Sequence, residues 1–382
     1  MTARLAVVVA AWLVVTTGTP TPAAVGAERL DNHRATVDWP SRGFPTLQAA
    51  IDATPDGGTV RIGPGSHRID EPVVVEGRRL TVTGSGSGNR HRRRVTDLRG
   101  PPPRPVVDGD GNVVLAADEV RGLFTLIGAD VTISDMRISG HDAGIVAIDD
   151  GAGRTGALVV RDVTIGETGR GILATSHGPV QLEDVQVSAT LWHGVGVCSA
   201  ASVTVTTVQV TDASSVGMYF CDTDAFVFDS AAFDNEGGGI YLLRVGSGWV
   251  DGSTAAVNRL FGIGVVESSN PVLLTDNLVL ATAAGGQGAD VGGDGVAVVS
   301  ATVTVRDSVI LGNHRAGLVN YAGTVGLADC RVGCNGFDLN GEELSGVPFQ
   351  FLDLGDNTCG CPATSACLTV STGLAPPPPI DP

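Results

Sequence analysis

The chain has 382 residues, of which 53 are glycine, 17% charged and 4% aromatic, and it carries a formal net charge of −17. A surface this acidic stays soluble and repels nucleic acid, so no nucleic-acid partner is expected and a polyanion would need a local basic patch. Lysine is absent: all 24 basic residues are arginine, which removes lysine from any catalytic mechanism.

Arg4, the apolar run 5–15 and the small residues Val25-Gly26-Ala27 read as a signal peptide over residues 1–27. The apolar run is too short to span a bilayer. A secreted, periplasmic or cell-surface protein without a membrane span is therefore expected. Cleavage would remove Arg4 alone among charged residues and take the net charge from −17 to −18.

Residues 28–43 read as an extended lead-in. Residues 44–69, FPTLQAAIDATPDGGTVRIGPGSHRI, begin with a short helical stretch over 46–53 and pass through a Pro/Gly turn into strand-like sequence. Residues 85–105 interrupt the pattern and gather Arg90, His91, Arg92, Arg93, Arg94, Arg99 and Arg104. Two readings stand for this loop: a solvated segment lying on the acidic body, or a polyanion grip in which guanidinium groups pair carboxylates or sulfates. Asp108-Gly-Asp110-Gly-Asn112 imitates the start of a calcium loop. Val113 holds the place that needs glycine, so a Gly/Asp turn is the simpler account.

From Leu158 the chain repeats itself. Segments starting at Leu158, Gln181, Thr204, Val227 and Val250 are each 23 residues long, and a glycine recurs at Gly171, Gly194, Gly217, Gly239 and Gly262. A fixed period of this size marks stacked repeats. Inside each period Val163-Thr164-Ile165, Val185-Gln186-Val187 and Val208-Gln209-Val210 alternate apolar and polar, the period of a strand. One coil cannot bury its own apolar side chains, so coils must stack as parallel strands about 4.8 Å apart, giving a β-solenoid. The recurring aspartates (Asp135, Asp162, Asp184) suit turns. Residues 281–293 are a loop thrown out of one coil, after which the period resumes at Gly295 and Gly317. Half of a calcium-binding nonapeptide turn stands at 285–290 as a single copy, so no cofactor is expected and calcium lacks support.

These repeats and the segment 44–69 resemble the right-handed parallel β-helix proteins of the pectate-lyase-like superfamily, over residues 44–340. The resemblance implies an all-β fold, a single-stranded right-handed parallel β-helix with an N-terminal capping helix. It does not fix an activity, because that superfamily holds lyases, hydrolases, epimerases, adhesins and inert spikes. Polygalacturonase-like hydrolases carry Asn-x-Asp, Asp-Asp, Gly-His-Gly and Arg-x-Lys in order. The nearest pieces here, Asp149-Asp150, Trp192-His193-Gly194 and Asp222-Thr223-Asp224, fall in another order, and Arg-x-Lys is ruled out without lysine.

Two columns remain as candidate chemistry. Five residues past each repeat glycine lie Ser176, Ser199, Asp222, Arg244, Glu267 and Ser300. Asp222, Arg244 and Glu267 form either an ion-pair ladder along the solenoid or a catalytic cluster beside a uronate carboxylate. Just before the repeat glycines stand His141 and Asp142, then Arg170, then Trp192 and His193, on three consecutive coils. An exposed Trp192 would stack on a sugar ring, Arg170 would pair its carboxylate and His193 would carry a proton. The turn 149–154 would wall one side.

Seven cysteines in an exported chain point to disulfides with one left over. Cys198 and Cys221, one period apart, should sit one above the other, bridged or stacked as thiols. Cys330, Cys334, Cys359, Cys361 and Cys367 staple a cysteine-containing cap over 341–374 in an unreadable pairing, and 375–382 is a Pro-rich extended tail. The functional expectation is a monomeric, secreted β-helix that binds an acidic polysaccharide or cell-surface glycan or serves a structural role, without a recognisable catalytic centre. The alternative is a polysaccharide lyase acting on uronate-containing polymer.

Overall fold

The computed structural model describes residues 35–87, 95–103, 121–284, 292–362, 367–378 and 380. The signal peptide, Arg90 to Arg94, the 108–119 turn and the 285–290 turn fall outside the described residues.

Each coil contributes three strands. Gln186–Thr190, Val195–Cys198 and Ser202–Thr206 make one, and Gln209–Ala213, Met218–Cys221 and Ala225–Phe228 lie directly on it. Every ladder between named strands is parallel, with residues one period apart in register, as in Val195↔Met218, Val197↔Phe220 and Thr204↔Phe226. The middle strands of successive coils form a twelve-stranded sheet running from Val73–Glu76 to Thr369–Val370. The remaining strands form a longer sheet that wraps the other sides. The chain is thus an all-β parallel solenoid.

Period-two alternation decides what lies inside. Val180, Leu182, Val185, Val187, Val195 and Val197 of one coil are all buried in a single continuous core, with their neighbours above and below. The repeat glycine is required by close approach. A Cβ on Gly239 would meet the Gly262 carbonyl oxygen at 2.5 Å, and one on Gly262 the Gly295 oxygen at 2.7 Å. The turns depend on left-handed backbone: Asp135, Asp162, Asp184, Asp229, Asp276, Asp307 and Asp329 all have φ between 48° and 60°. Aspartate tolerates this region better than most residues because its short polar side chain bonds locally. Buried and half-buried asparagines tie coil to coil. Asn258 Oδ1 accepts the Asn235 backbone N–H at 3.2 Å and its amide at 2.8 Å, and Asn335 Oδ1 accepts the same pair of donors from Asn313 at 2.9 Å.

α1 (Leu47–Ala53), the lone α-helix among the described residues, is N-capped by the Thr46 hydroxyl, which accepts the Ala49 N–H. It packs Leu47, Ala50 and Ile51 into the core. The lead-in contains a strand, Thr36–Trp39, paired with Gly58–Ile62. Towards the C-terminus Gln350–Asp353, Thr358–Cys359 and Thr369–Val370 continue all three stacks. The disulfides Cys334–Cys361 and Cys359–Cys367 close this last coil, and Cys330 stays buried and unbridged.

Candidate functional site

The column five residues past the repeat glycine is a turn. Ser176, Ser199, Asp222, Arg244, Glu267 and Ser300 all hold left-handed backbone, with φ between 48° and 53°. Within it Arg244 donates through Nε and Nη2 to the two Asp222 carboxylate oxygens at 2.8 Å each. Both side chains are nearly half exposed. Glu267, also exposed, adds a longer-range attraction to Arg244. The arrangement is an ion-pair rung at the surface.

The residues before the repeat glycine are placed differently from the expectation. Arg170 and His193 are only 2% exposed, and Trp192 is half-buried rather than open. The Arg170 guanidinium lies over the Trp192 ring at 6.0 Å. Burial lowers the Arg170 pKa to about 10, so it remains charged at neutral pH and lends the indole a cation beneath its face. The half-buried Asp142 acts through its carbonyl, which accepts the Arg170 N–H at 2.8 Å. His141 faces inward and bonds the Ile69 carbonyl at 3.0 Å. Residues 149–154 form a turn, exposed from Gly151 onward, in which the Asp149 and Asp150 carboxylates accept backbone N–H groups.

From Trp192 an aromatic ladder climbs the solenoid. Trp192 and His193 have ring centres 5.5 Å apart, and His193 stacks on Tyr219 at 4.7 Å with planes 11° from parallel. Tyr219 to Tyr241 is 5.4 Å and Tyr241 to Phe261 is 5.2 Å. The His193 Nδ1 accepts the Val216 backbone N–H at 3.3 Å, which selects the neutral tautomer with its proton on Nε2. Burial, with Glu267 adding, pushes the Tyr241 phenol up to about 12, so it stays protonated.

Above Phe261 the ladder turns ionic. Phe261 pairs in register with Asp294, whose carboxylate receives Arg315 through Nε at 2.9 Å and through Nη2. The pair is almost wholly buried, with side-chain exposures of 5% for Arg315 and 0% for Asp294. Burial works against the Arg315 charge, but the Asp294 carboxylate outweighs it and raises the Arg315 pKa. Arg315 Nη2 also donates to the Tyr321 hydroxyl at 3.2 Å. The sequence signal for this cluster was present and unread. Asp294 precedes Gly295 as His193 precedes Gly194, and Tyr219 and Tyr241 each stand two residues past a repeat glycine.

Cys198 and Cys221 are joined by a disulfide between adjacent strands of the twelve-stranded sheet, with Cα atoms 4.5 Å apart. Cys221 belongs to the same apolar cluster as Tyr219, Tyr241, Phe261 and Tyr321. Among the described residues no group of three His, Cys, Asp or Glu is placed to hold a metal ion, and no helix is long and apolar enough to cross a membrane.

A family model described as the right handed beta helix region matches residues 121–279 and 170–335. The chain belongs to the right-handed β-helix family. Among solved structures it is similar to the periplasmic alginate epimerase AlgG, at 13% identity, over 85% of this chain and 83% of that one, with a TM-score of 0.56. It is similar as well to the A-module of the Azotobacter vinelandii mannuronan C-5 epimerase AlgE6, at 16% identity, over 88% and 97%, with a TM-score of 0.56. At such identities the likeness is one of fold. Comparison with curated protein sequences returned no match.

Proposed function

We propose that this chain is an exported β-helix that binds an acidic polysaccharide along the outward face of its twelve-stranded sheet. The observation that carries the reading is the column Arg170, Trp192, His193, Tyr219, Tyr241 and Phe261, one flat group after another along the solenoid axis. A polymer of rings matches a polymer of coils, but only Trp192 of this column is half open; Arg170, His193, Tyr219, Tyr241 and Phe261 are buried, so the further rungs meet a sugar only where what covers them moves aside. Arg170, too buried to clamp a carboxylate directly, supplies positive potential behind the indole, and Trp192 is the half-open end where stacking begins. The similar epimerase structures are named for alginate and mannuronan, which are acidic polymers and support this choice of ligand class. Three disulfides suit an oxidising compartment outside the cytosol.

The test is binding of mannuronan by calorimetry, wild type against Trp192→Ala. A stacking contribution of about 1 kcal/mol predicts a loss of roughly fivefold in affinity, with the circular dichroism of the native fold retained. Equal affinity would move the site off this face. A second reading, proton-transfer chemistry on a uronate, is favoured by one observation: neutral His193 lies against the Tyr219 ring. The same titration followed at the absorbance of unsaturated uronates separates the two, and binding without new absorbance is expected.

A further inference from the structure

The outward face of the twelve-stranded sheet is occupied by the chain itself. After pairing beside Leu339 and Asn340, the segment leaves the sheet at Val370 and is caught by Glu342. The Glu342 carboxylate accepts the backbone N–H groups of Thr372 at 2.7 Å, Gly373 at 2.8 Å and Leu374 at 3.2 Å, and the Ser371 hydroxyl at 2.8 Å. The next carbonyl, Ala375, accepts both the Tyr321 hydroxyl at 2.7 Å and Arg315 Nη1 at 2.9 Å. Four prolines follow, and Ile380 packs against the cluster that holds Tyr219, Tyr241 and Phe261, its carbonyl accepting the Tyr219 hydroxyl at 3.4 Å.

The two anchor points fix the path. Tyr321 and Tyr219 stand four strands apart in the sheet, a distance on the order of 19 Å at the usual spacing. That is about the full reach of the five backbone steps that join Ala375 to Ile380, roughly 17–18 Å. The segment must run nearly straight along the solenoid axis, and a proline run enforces it by fixing φ and disfavouring helix. Because prolines have no N–H, the part of the strap beyond Leu374 bonds through the Ala375 and Ile380 carbonyls. The donors those two carbonyls meet are Tyr321, Arg315 and Tyr219.

We infer that residues 371–378, with Ile380, form a displaceable strap that occupies the upper part of the polysaccharide face, so that the chain is self-inhibited and strap release opens the Tyr219–Tyr241–Phe261 rungs. The strap and an extended polymer share the same axis and the same aromatic rungs, and the two exclude one another. The glycan half of this inference rests on the proposed function; the docking half stands on its own contacts.

The experiment compares the full-length chain, a chain ending at Leu374, and the full-length Tyr321→Phe variant, which keeps the ring and loses one bond to Ala375. The first probe is a synthetic peptide of residues 375–380, detected by saturation-transfer NMR, which reads millimolar contacts. The second is mannuronan, read by calorimetry. The shortened chain should bind the peptide while the full-length chain does not. It should bind mannuronan at least tenfold more tightly than the full-length chain, with the peptide reversing the gain and Tyr321→Phe falling between. Peptide binding to the shortened chain without mannuronan binding to either keeps the strap and overturns the glycan reading. Equal mannuronan affinity with and without the strap overturns self-inhibition. Absence of peptide binding to a shortened chain whose circular dichroism is native overturns the docking site.

Discussion

Two acid–arginine pairs of this molecule are built alike and placed differently. Asp222–Arg244 and Asp294–Arg315 both join neighbouring coils, and in both the arginine reaches the two carboxylate oxygens through Nε and Nη2. The first sits on a left-handed turn at the surface with both partners nearly half exposed, and the second lies beneath the strap with almost none of either partner exposed. Water therefore competes for the first pair and is excluded from the second. The same two residue types make a weak surface rung in one place and, in the other, a fixed donor that holds a segment of chain.

The sharpest way to break this comparison is Arg315→Ala. It leaves Asp294 buried without its counter-charge, so chemical denaturation should show a loss of about 3–5 kcal/mol, and Asp294→Asn added to it should recover part of that loss. A loss below about 1 kcal/mol would mean that water reaches the pair and that the two regions are equivalent.

An intermediate effect is expected from acid. Burial opposes the Glu342 charge, yet the hydrogen bonds from Thr372, Ser371, Leu374 and Gly373 outweigh it and hold the carboxyl below the usual range. The folded chain therefore binds fewer protons at Glu342 than the unfolded chain does. The stability it lends is complete above the ordinary glutamate value of about 4.3 and disappears as the pH falls through the lowered folded value. Tyr321 and Arg315, which also face the start of the strap, keep their protons throughout this range, and Asp294, whose carboxyl burial pushes up, is common to wild type and variant. Denaturation midpoints measured from neutral pH downward should fall more steeply for wild type than for Glu342→Gln. Parallel curves would detach Glu342 from the strap.

Arg244→Ala should change least. An exposed pair is worth roughly 0–1 kcal/mol, and moderate salt should erase even that difference. A larger, salt-insensitive loss would give the surface rung a role its exposure does not suggest.

Much of the architecture was legible because it repeats. Period, strand alternation and the repeat glycine each recur often enough to be read from spacing, and the structure places Gly171 to Gly317 where backbones nearly touch. The candidate site was only half legible. Spacing brought Arg170 and His193 onto adjacent coils and aligned Asp222 with Arg244, but it carries no information about what covers a column. Arg170 was therefore expected in solvent and is buried. The Asp294 cluster lies past a looped-out segment that breaks the count. The strap was invisible for a different reason: residues 371–378, with Ile380, bond to partners some 30 to 160 positions earlier, without any periodicity to announce them.

The uniform register also makes the molecule a ruler. Val203 aligns with Ala225 and Thr204 with Phe226, so excising residues 204–225 would join Val203 to a residue that already occupies its successor's place. Inward and outward faces would keep their parity, and the face would shorten by one rung, about 4.8 Å. An excision one residue longer or shorter would turn the following strand inside out. The length of the face is therefore set in whole coils, and it can lengthen or shorten only by discrete steps.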